Sequence, residues 1–247
     1  MAENKKDVTS AIVEFCKQYC KQTAGIMVFG SYIEGTNTEH SDVDLIVIDE
    51  AEVEGKKIQS EIYGYPLQAT IVNFKALLNL LENSSSNRHF FYPHCISKSE
   101  ILLDGKGMCA YLKKRAGEIV AKGVPANSVQ KMEIHRISLC NFLHDGMNEK
   151  YTGGAIAEKL MWSNRVVMMC HNYILSDSND WDYTNAKLKR TVLIANHPEV
   201  YASLNKLIEK FITHFDCPLF AQQIKSVMSD YMKFSWDTTA PHHCSMI

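Results

Sequence analysis

Four residues near the N-terminus have the types and spacing to hold a phosphate and a cation. Gly30 and Ser31 end one apolar run, and Asp42 and Asp44 stand at the head of the next. Glycine lets backbone approach a ligand closely. The serine beside it offers a hydroxyl and an amide, and the start of a following helix adds further N–H donors, a combination suited to phosphate. Asp42 and Asp44 are two positions apart, so strand alternation places both carboxylates on one face. Side by side they repel each other unless a cation sits between them. Magnesium meets that need, because it takes one or two carboxylates together with substrate phosphates and water. Two such ions, roughly 3.5–4 Å apart, would bind the attacking and leaving oxygens of a phosphoryl or nucleotidyl transfer.

The elements that must position these residues are legible from hydrophobic periodicity. Val8, Ile12, Phe15 and Tyr19 recur at helical spacing. Ile26–Phe29 is a short run of strand formers, and Val43–Ile48 is a nearly continuous apolar strand of the kind buried on both faces. Residues 57–63 and 67–72 predict a β-hairpin around Gly64. Asn73 is a plausible N-cap for a helix through Leu81, Asn83–Asn87 predicts a loop, and Ile101–Leu103 one more strand stopped by Asp104-Gly105. From residue 107 strand signals cease. Helices are expected over Met108–Lys122, along Val129, Met132, Leu139 and Leu143, over Ala155–Leu175 and Leu188–Ala195, after Pro198, and from Pro218 to near Trp236. The pattern predicts an α+β domain over residues 1–106, a helical domain over 107–236 and a flexible tail over 237–247.

Strand, Gly-Ser, loop, Ser-Asp-Val-Asp and strand together resemble the polymerase-β-like nucleotidyltransferase superfamily, in its small-molecule branch (aminoglycoside adenylyltransferases) and its minimal nucleotidyltransferases. The resemblance is strong over residues 26–48 and extends through the hairpin to 74. Beyond 107 it is limited to the presence of a helical C-terminal domain, as in aminoglycoside adenylyltransferases. It implies a mixed sheet with flanking helices, a site in the cleft between the two domains, Gly30 and Ser31 as nucleotide contacts, and Asp42 and Asp44 as Mg²⁺ ligands and catalytic residues. It also implies ATP as co-substrate, with AMP passing to a hydroxyl of a small molecule or protein and pyrophosphate released.

Catalytic members of that superfamily carry a third acidic residue on a later strand, and here the matching strand, Pro66–Val72, has Gln68 at that position. An amide cannot serve as a base and is a poor magnesium ligand. Three readings stay open: a base from elsewhere, with Glu61 and Glu133 the candidates; an acceptor that is already acidic, or an amine deprotonated by solvent; or a protein that binds nucleotide without transferring it, as a regulatory module or an antitoxin-like interaction protein.

Other residues have types that could do chemistry. Tyr92-Pro93-His94 either lines the cleft or is a connector. Lys187, Lys189 and Arg190, near Trp181 and Asp182, are a solvated helix face unless a cation is needed in the cleft or the Trp181–Asp182 pair holds a cationic acceptor. Cys140 and His144 share a helix face but fall short of a metal site's ligand count. His242-His243-Cys244 lies in the expected tail. The eight cysteines include no C-x-x-C pair and are expected to be reduced structural thiols. A net charge of −2 over 247 residues argues against a polymeric nucleic acid partner. The polar N-terminus and the absence of any apolar run near ~18 residues predict a cytoplasmic protein with no membrane partner.

Overall fold

The structure, a computed structural model, describes residues 7–147, 154–183, 186–232 and 236. The chain begins with helix α1 (Val8–Tyr19), capped by Asp7, whose Oδ1 accepts from the Ser10 amide at 2.7 Å. Five strands follow: β1 (Thr23–Phe29), β2 (Val43–Asp49), β3 (Lys56–Ile62), β4 (Tyr65–Val72) and β5 (Glu100–Asp104). Between them lie the single-turn helix α2 (Ser31–Glu34), α3 (Phe74–Asn87) and α4 (Phe91–Lys98). The strands form one sheet in the order β3-β4-β2-β1-β5, antiparallel throughout except for the parallel pair β2–β4. The β3–β4 hairpin turns on Tyr63 and Gly64, both at positive φ, as a two-residue turn matched to strand twist requires. Because β4 returns between β3 and β2, residues far apart in sequence share a row across the sheet.

Strand alternation divides the core. Val43, Leu45 and Val47, with Ile26, Val28, Leu67, Ala69 and Ile71, pack against Ala11, Ile12, Phe15 and Cys16 of α1. On the other face α4 packs on β1, together with α5 (Met108–Lys122). At the far end of β2 the buried carboxylate of Asp49 accepts from the amides of Lys21, Gln22 and Ala51 at 2.7, 3.0 and 3.0 Å, tying the α1–β1 connection to the sheet.

The chain divides into two compact units between Gly123 and Val124, later than the change in texture at residue 107 suggests. Helix α5 belongs to the first unit. Its apolar stripe of Cys109, Leu112, Ala116 and Ile119 is buried, and the helix packs on α3, α4, β1 and β5. Two local expectations also change. Residues 83–87 continue α3 rather than forming a loop, because Ser84 turns its hydroxyl back to the Leu80 carbonyl at 2.7 Å and Arg88 ends the helix in the left-handed conformation. Tyr92-Pro93-His94 lies inside α4, where Pro93 occupies the first turn and removes no helical hydrogen bond.

The second unit contains α6 (Val129–Gly146), α7 (Ile156–Asp177), α8 (Ala186–Asn196), α9 (Pro198–His214) and α10 (Cys217–Met232). Trp162 of α7 is central. Its ring lies 5.7 Å from that of Phe220 and 6.4 Å from that of Phe211, and its Nε1 donates to the Phe142 carbonyl at 3.1 Å. Gly146 makes room for it, since a Cβ there would lie 1.8 Å from Trp162 Cζ2. An alanine normally improves a helix by about 1 kcal/mol over glycine. Here the ring is buried and hydrogen-bonded, so Gly146→Ala is expected to destabilise instead, by roughly 1–3 kcal/mol as overpacking does. Urea unfolding checks the sign. The tail 237–247, with His242, His243 and Cys244, lies outside the described residues. Among the described residues no helix is long and apolar enough to cross a membrane.

Candidate active site

The end of β1 and the start of β2 bring the Gly-Ser pair against the aspartates. Phe29, the last residue of β1, is the cross-strand partner of Asp44. The chain then turns at Gly30, with φ 77 and ψ −156, a region essentially reserved for glycine. A Cβ at Gly30 would lie 2.6 Å from Asp44 Oδ2, so only a bare α-carbon lets the backbone reach this carboxylate. Ser31 opens α2, and the amides of Ile33 and Glu34 both bond the Gly30 carbonyl at 3.1 Å. The first amides of a helix have no partner within it, so the Ser31 end of α2 presents N–H groups beside the Ser31 hydroxyl. The loop back to β2 is closed by Ser41, whose hydroxyl accepts from the Thr38 amide at 2.9 Å and whose own amide bonds the Thr38 carbonyl at 3.1 Å.

Asp42 and Asp44 are both partly buried and stand close enough to affect each other electrostatically. Burial first, and the charge of Asp42 second, push the Asp44 carboxyl up to about 6. Helix α4 covers this end of the sheet. The Phe91 ring meets Phe29 edge-on at 6.1 Å, and the buried Cys95 thiol is pushed up to about 12 by burial, then by the charges of Asp44 and Glu34. His94 faces Glu34, but burial outweighs that charge and holds its imidazole below the ordinary range. Phe91 and Cys95, the apolar wall, were not singled out in the sequence. Their i, i+4 spacing beside Ile96 and the early Pro93 were the available signal.

Gln68 stands directly abreast of Asp44 in the parallel β2–β4 pair, and Gln59 of β3 is the next residue in the same row. Gln59 Nε2 donates to Gln68 Oε1 at 2.9 Å. The position beside the aspartates is therefore held by a neutral amide. Glu61 lies on the same face but on the edge strand, opposite Pro66. One pair further along that face, Lys57 and Thr70 line a groove of about 500 Å³ with Asn79 and Asn83 of α3 and Tyr92 of α4.

The remaining sequence candidates belong to the second unit. Glu133 accepts from the buried Arg136 on its own helix. The basic cluster is split: Lys187 and Arg190 are exposed, whereas Lys189 is buried and donates to Asn172 Oδ1 at 2.7 Å. Trp181 is buried and Asp182 exposed. Cys140 is buried and His144 exposed, and among the described residues no group of three His, Cys, Asp or Glu side chains is placed to hold a metal.

An Mg²⁺ ion fits the residues at the first site. Asp42 and Asp44 are hard oxygen donors held close together, and both influences on Asp44 disfavour its charge until a cation offsets them.

Residues 10–88 match the family model of the nucleotidyltransferase domain. No curated protein matches the chain. Among solved structures, a nucleotidyltransferase-like protein from Exiguobacterium sibiricum 255-15 is 16% identical, with a TM-score of 0.47, over 92% of this chain and 78% of that one. Within the first unit, residues 10–88 are therefore similar to a nucleotidyltransferase domain.

Proposed function

We propose that this protein moves a nucleoside monophosphate, AMP from ATP, onto a hydroxyl of a small molecule or protein and releases pyrophosphate. The observation that carries the reading is the space at Gly30, where a Cβ would lie 2.6 Å from Asp44 Oδ2, with Asp42 close enough to act on Asp44. Gly30 and the Ser31 hydroxyl and amide would orient the triphosphate. Asp42 and Asp44 would hold Mg²⁺, which when bound neutralises charge on the phosphoryl oxygens and the departing pyrophosphate. In the transfer, the acceptor oxygen bonds the α-phosphorus, the bond to pyrophosphate breaks, and the acceptor's proton passes to solvent. The protein's contribution is then mainly positioning and charge placement.

The test is calorimetry of ATP binding with and without Mg²⁺, for the wild type and for Asp42→Asn/Asp44→Asn. Magnesium-dependent binding that vanishes in the double variant supports the site. No binding of ATP, nor of GTP, CTP or UTP, sinks it.

Gln68 favours a second reading, a nucleotide-binding regulator without transfer, because the residue abreast of Asp44 cannot accept a proton. The two readings separate on Gln68→Glu. Gln59 can donate to the new carboxylate as it does to the amide, so the sheet should tolerate the change. If transfer is the function, turnover with Mg²⁺ should rise about 10²-fold, the usual scale of general-base assistance. Turnover that stays at background in both proteins favours the regulator.

A further inference from the structure

Seven cysteines are described, all as free thiols, and two of them differ from the rest. Cys95, Cys109, Cys140, Cys170 and Cys217 are buried. Cys16 and Cys20 lie four residues apart on the last turn of α1, where the Cys20 amide bonds the Cys16 carbonyl at 2.9 Å. Their thiols stand close enough to affect each other. Cys16 is 8% exposed and sits in the core cluster, whereas Cys20 is only partly buried. Sequence spacing alone makes both structural thiols, and the asymmetry comes from the fold.

We propose that Cys16 and Cys20 form a reversible dithiol–disulfide couple, oxidised by a low-molecular-weight disulfide such as glutathione disulfide. The geometry is close to what a disulfide needs. Positions i and i+4 of a helix have α-carbons about 6 Å apart, inside the range that disulfides span. Their Cβ atoms, about 5–6 Å apart in a regular helix, must approach to about 4 Å. Cys20 has already left the helix, with φ −114 and ψ 148, so the approach costs at most one hydrogen bond at a fraying end. A bond formed under such strain is readily reduced, which makes the couple reversible.

The groups around the pair favour Cys20 as the attacking thiol. The neighbouring Cys16 thiol first, then Thr23 and the charge of Lys56, lower it against the opposing effects of burial and Asp49, while its partner Cys16 is raised. The Cys20 thiolate attacks one sulfur of glutathione disulfide and expels one glutathione thiolate. Capping Cys20 removes the charge that kept Cys16 protonated. Cys16 then loses its proton to solvent, attacks the Cys20 sulfur and expels the second glutathione. Two protein thiols and one glutathione disulfide become one protein disulfide and two glutathiones. The pair sits by the Thr23–Asp49 end of the β1–β2 ladder, away from the Phe29–Asp44 end.

The experiment uses the full chain with Cys244→Ser, which removes the thiol outside the described residues. The native, reduced protein is treated with glutathione disulfide, quenched, alkylated in denaturant and digested with trypsin. Trypsin cuts after Lys17 and Lys21, so the proposed bond joins peptide 7–17 to peptide 18–21. That linked pair is expected, with Cys20 reacting about tenfold faster than any buried thiol. In Cys16→Ala, Cys20 should instead retain glutathione. A stable glutathione adduct on Cys20 in the presence of Cys16, or oxidation of another cysteine before Cys20, overturns the proposal.

Discussion

Asp44→Asn is expected to abolish transfer, by roughly 10³-fold or more, and to raise the melting temperature of the metal-free protein at neutral pH. The two effects share one cause. The folded protein holds the Asp44 proton to about 6, against an ordinary 3.8. Between those values the native state binds more protons than the unfolded chain, so stability falls as pH rises through the window, and the loss is complete above about 6. An asparagine carries no charge to be desolvated or repelled by Asp42. Asp44 is only half buried, and solvent screening reduces the gain to about 1 kcal/mol, or a few degrees in melting temperature. Calorimetric melting in chelator from about pH 4 to 8 should show the variant's advantage growing with pH and vanishing at the acid end. Added Mg²⁺ should stabilise the wild type and not the variant. A variant less stable than wild type at neutral pH, or one with unchanged turnover, would sink the assignment.

Gly30→Ala should be the more damaging change to the fold of the site. Its backbone conformation costs a non-glycine residue about 1–3 kcal/mol, and the new methyl would meet Asp44 Oδ2 at 2.6 Å. A total loss of roughly 2–4 kcal/mol is expected, with ATP affinity down at least about tenfold as the carboxylate is pushed from its place. The two causes separate in a double-mutant cycle with Asp44→Ala, which removes the atom that the methyl strikes and leaves the backbone strain. The double variant should be more stable than the sum of the single losses predicts. Strict additivity would show that a methyl at Gly30 does not meet Asp44, removing the observation on which the proposed function rests.

The candidate site was legible where its logic is local. Gly30 and Ser31 follow a strand, and Asp42 and Asp44 alternate at the head of another, so spacing alone placed their side chains. The same holds for α1, β1, β2, the hairpin at Gly64 and most of the later helices, whose periodicities are complete within a dozen residues. Local patterning gives way where side chains answer to something outside the window. Ser84 lies in a polar stretch that predicts a loop, but it is buried and bonds back to Leu80, keeping α3 helical. The apolar stripe of α5 is legible in the sequence, whereas its covering by α4 and the sheet is not, and the chain divides into two compact units between Gly123 and Val124.

By itself, then, the sequence determined where Gly30, Ser31, Asp42 and Asp44 stand on their strands, because a glycine turn and a two-residue alternation act over one or two strands. Tertiary structure decided what stands around them. The return of β4 between β3 and β2 sets Gln68 abreast of Asp44, with 23 residues intervening in the chain. Packing of α4 supplies the Phe91 and Cys95 wall, and the seating of α1 on the sheet makes Cys16 and Cys20 unequal. Each of these depends on parallel register or on which faces of two elements meet, and hydrophobic periodicity reveals only that a face is apolar, never what covers it.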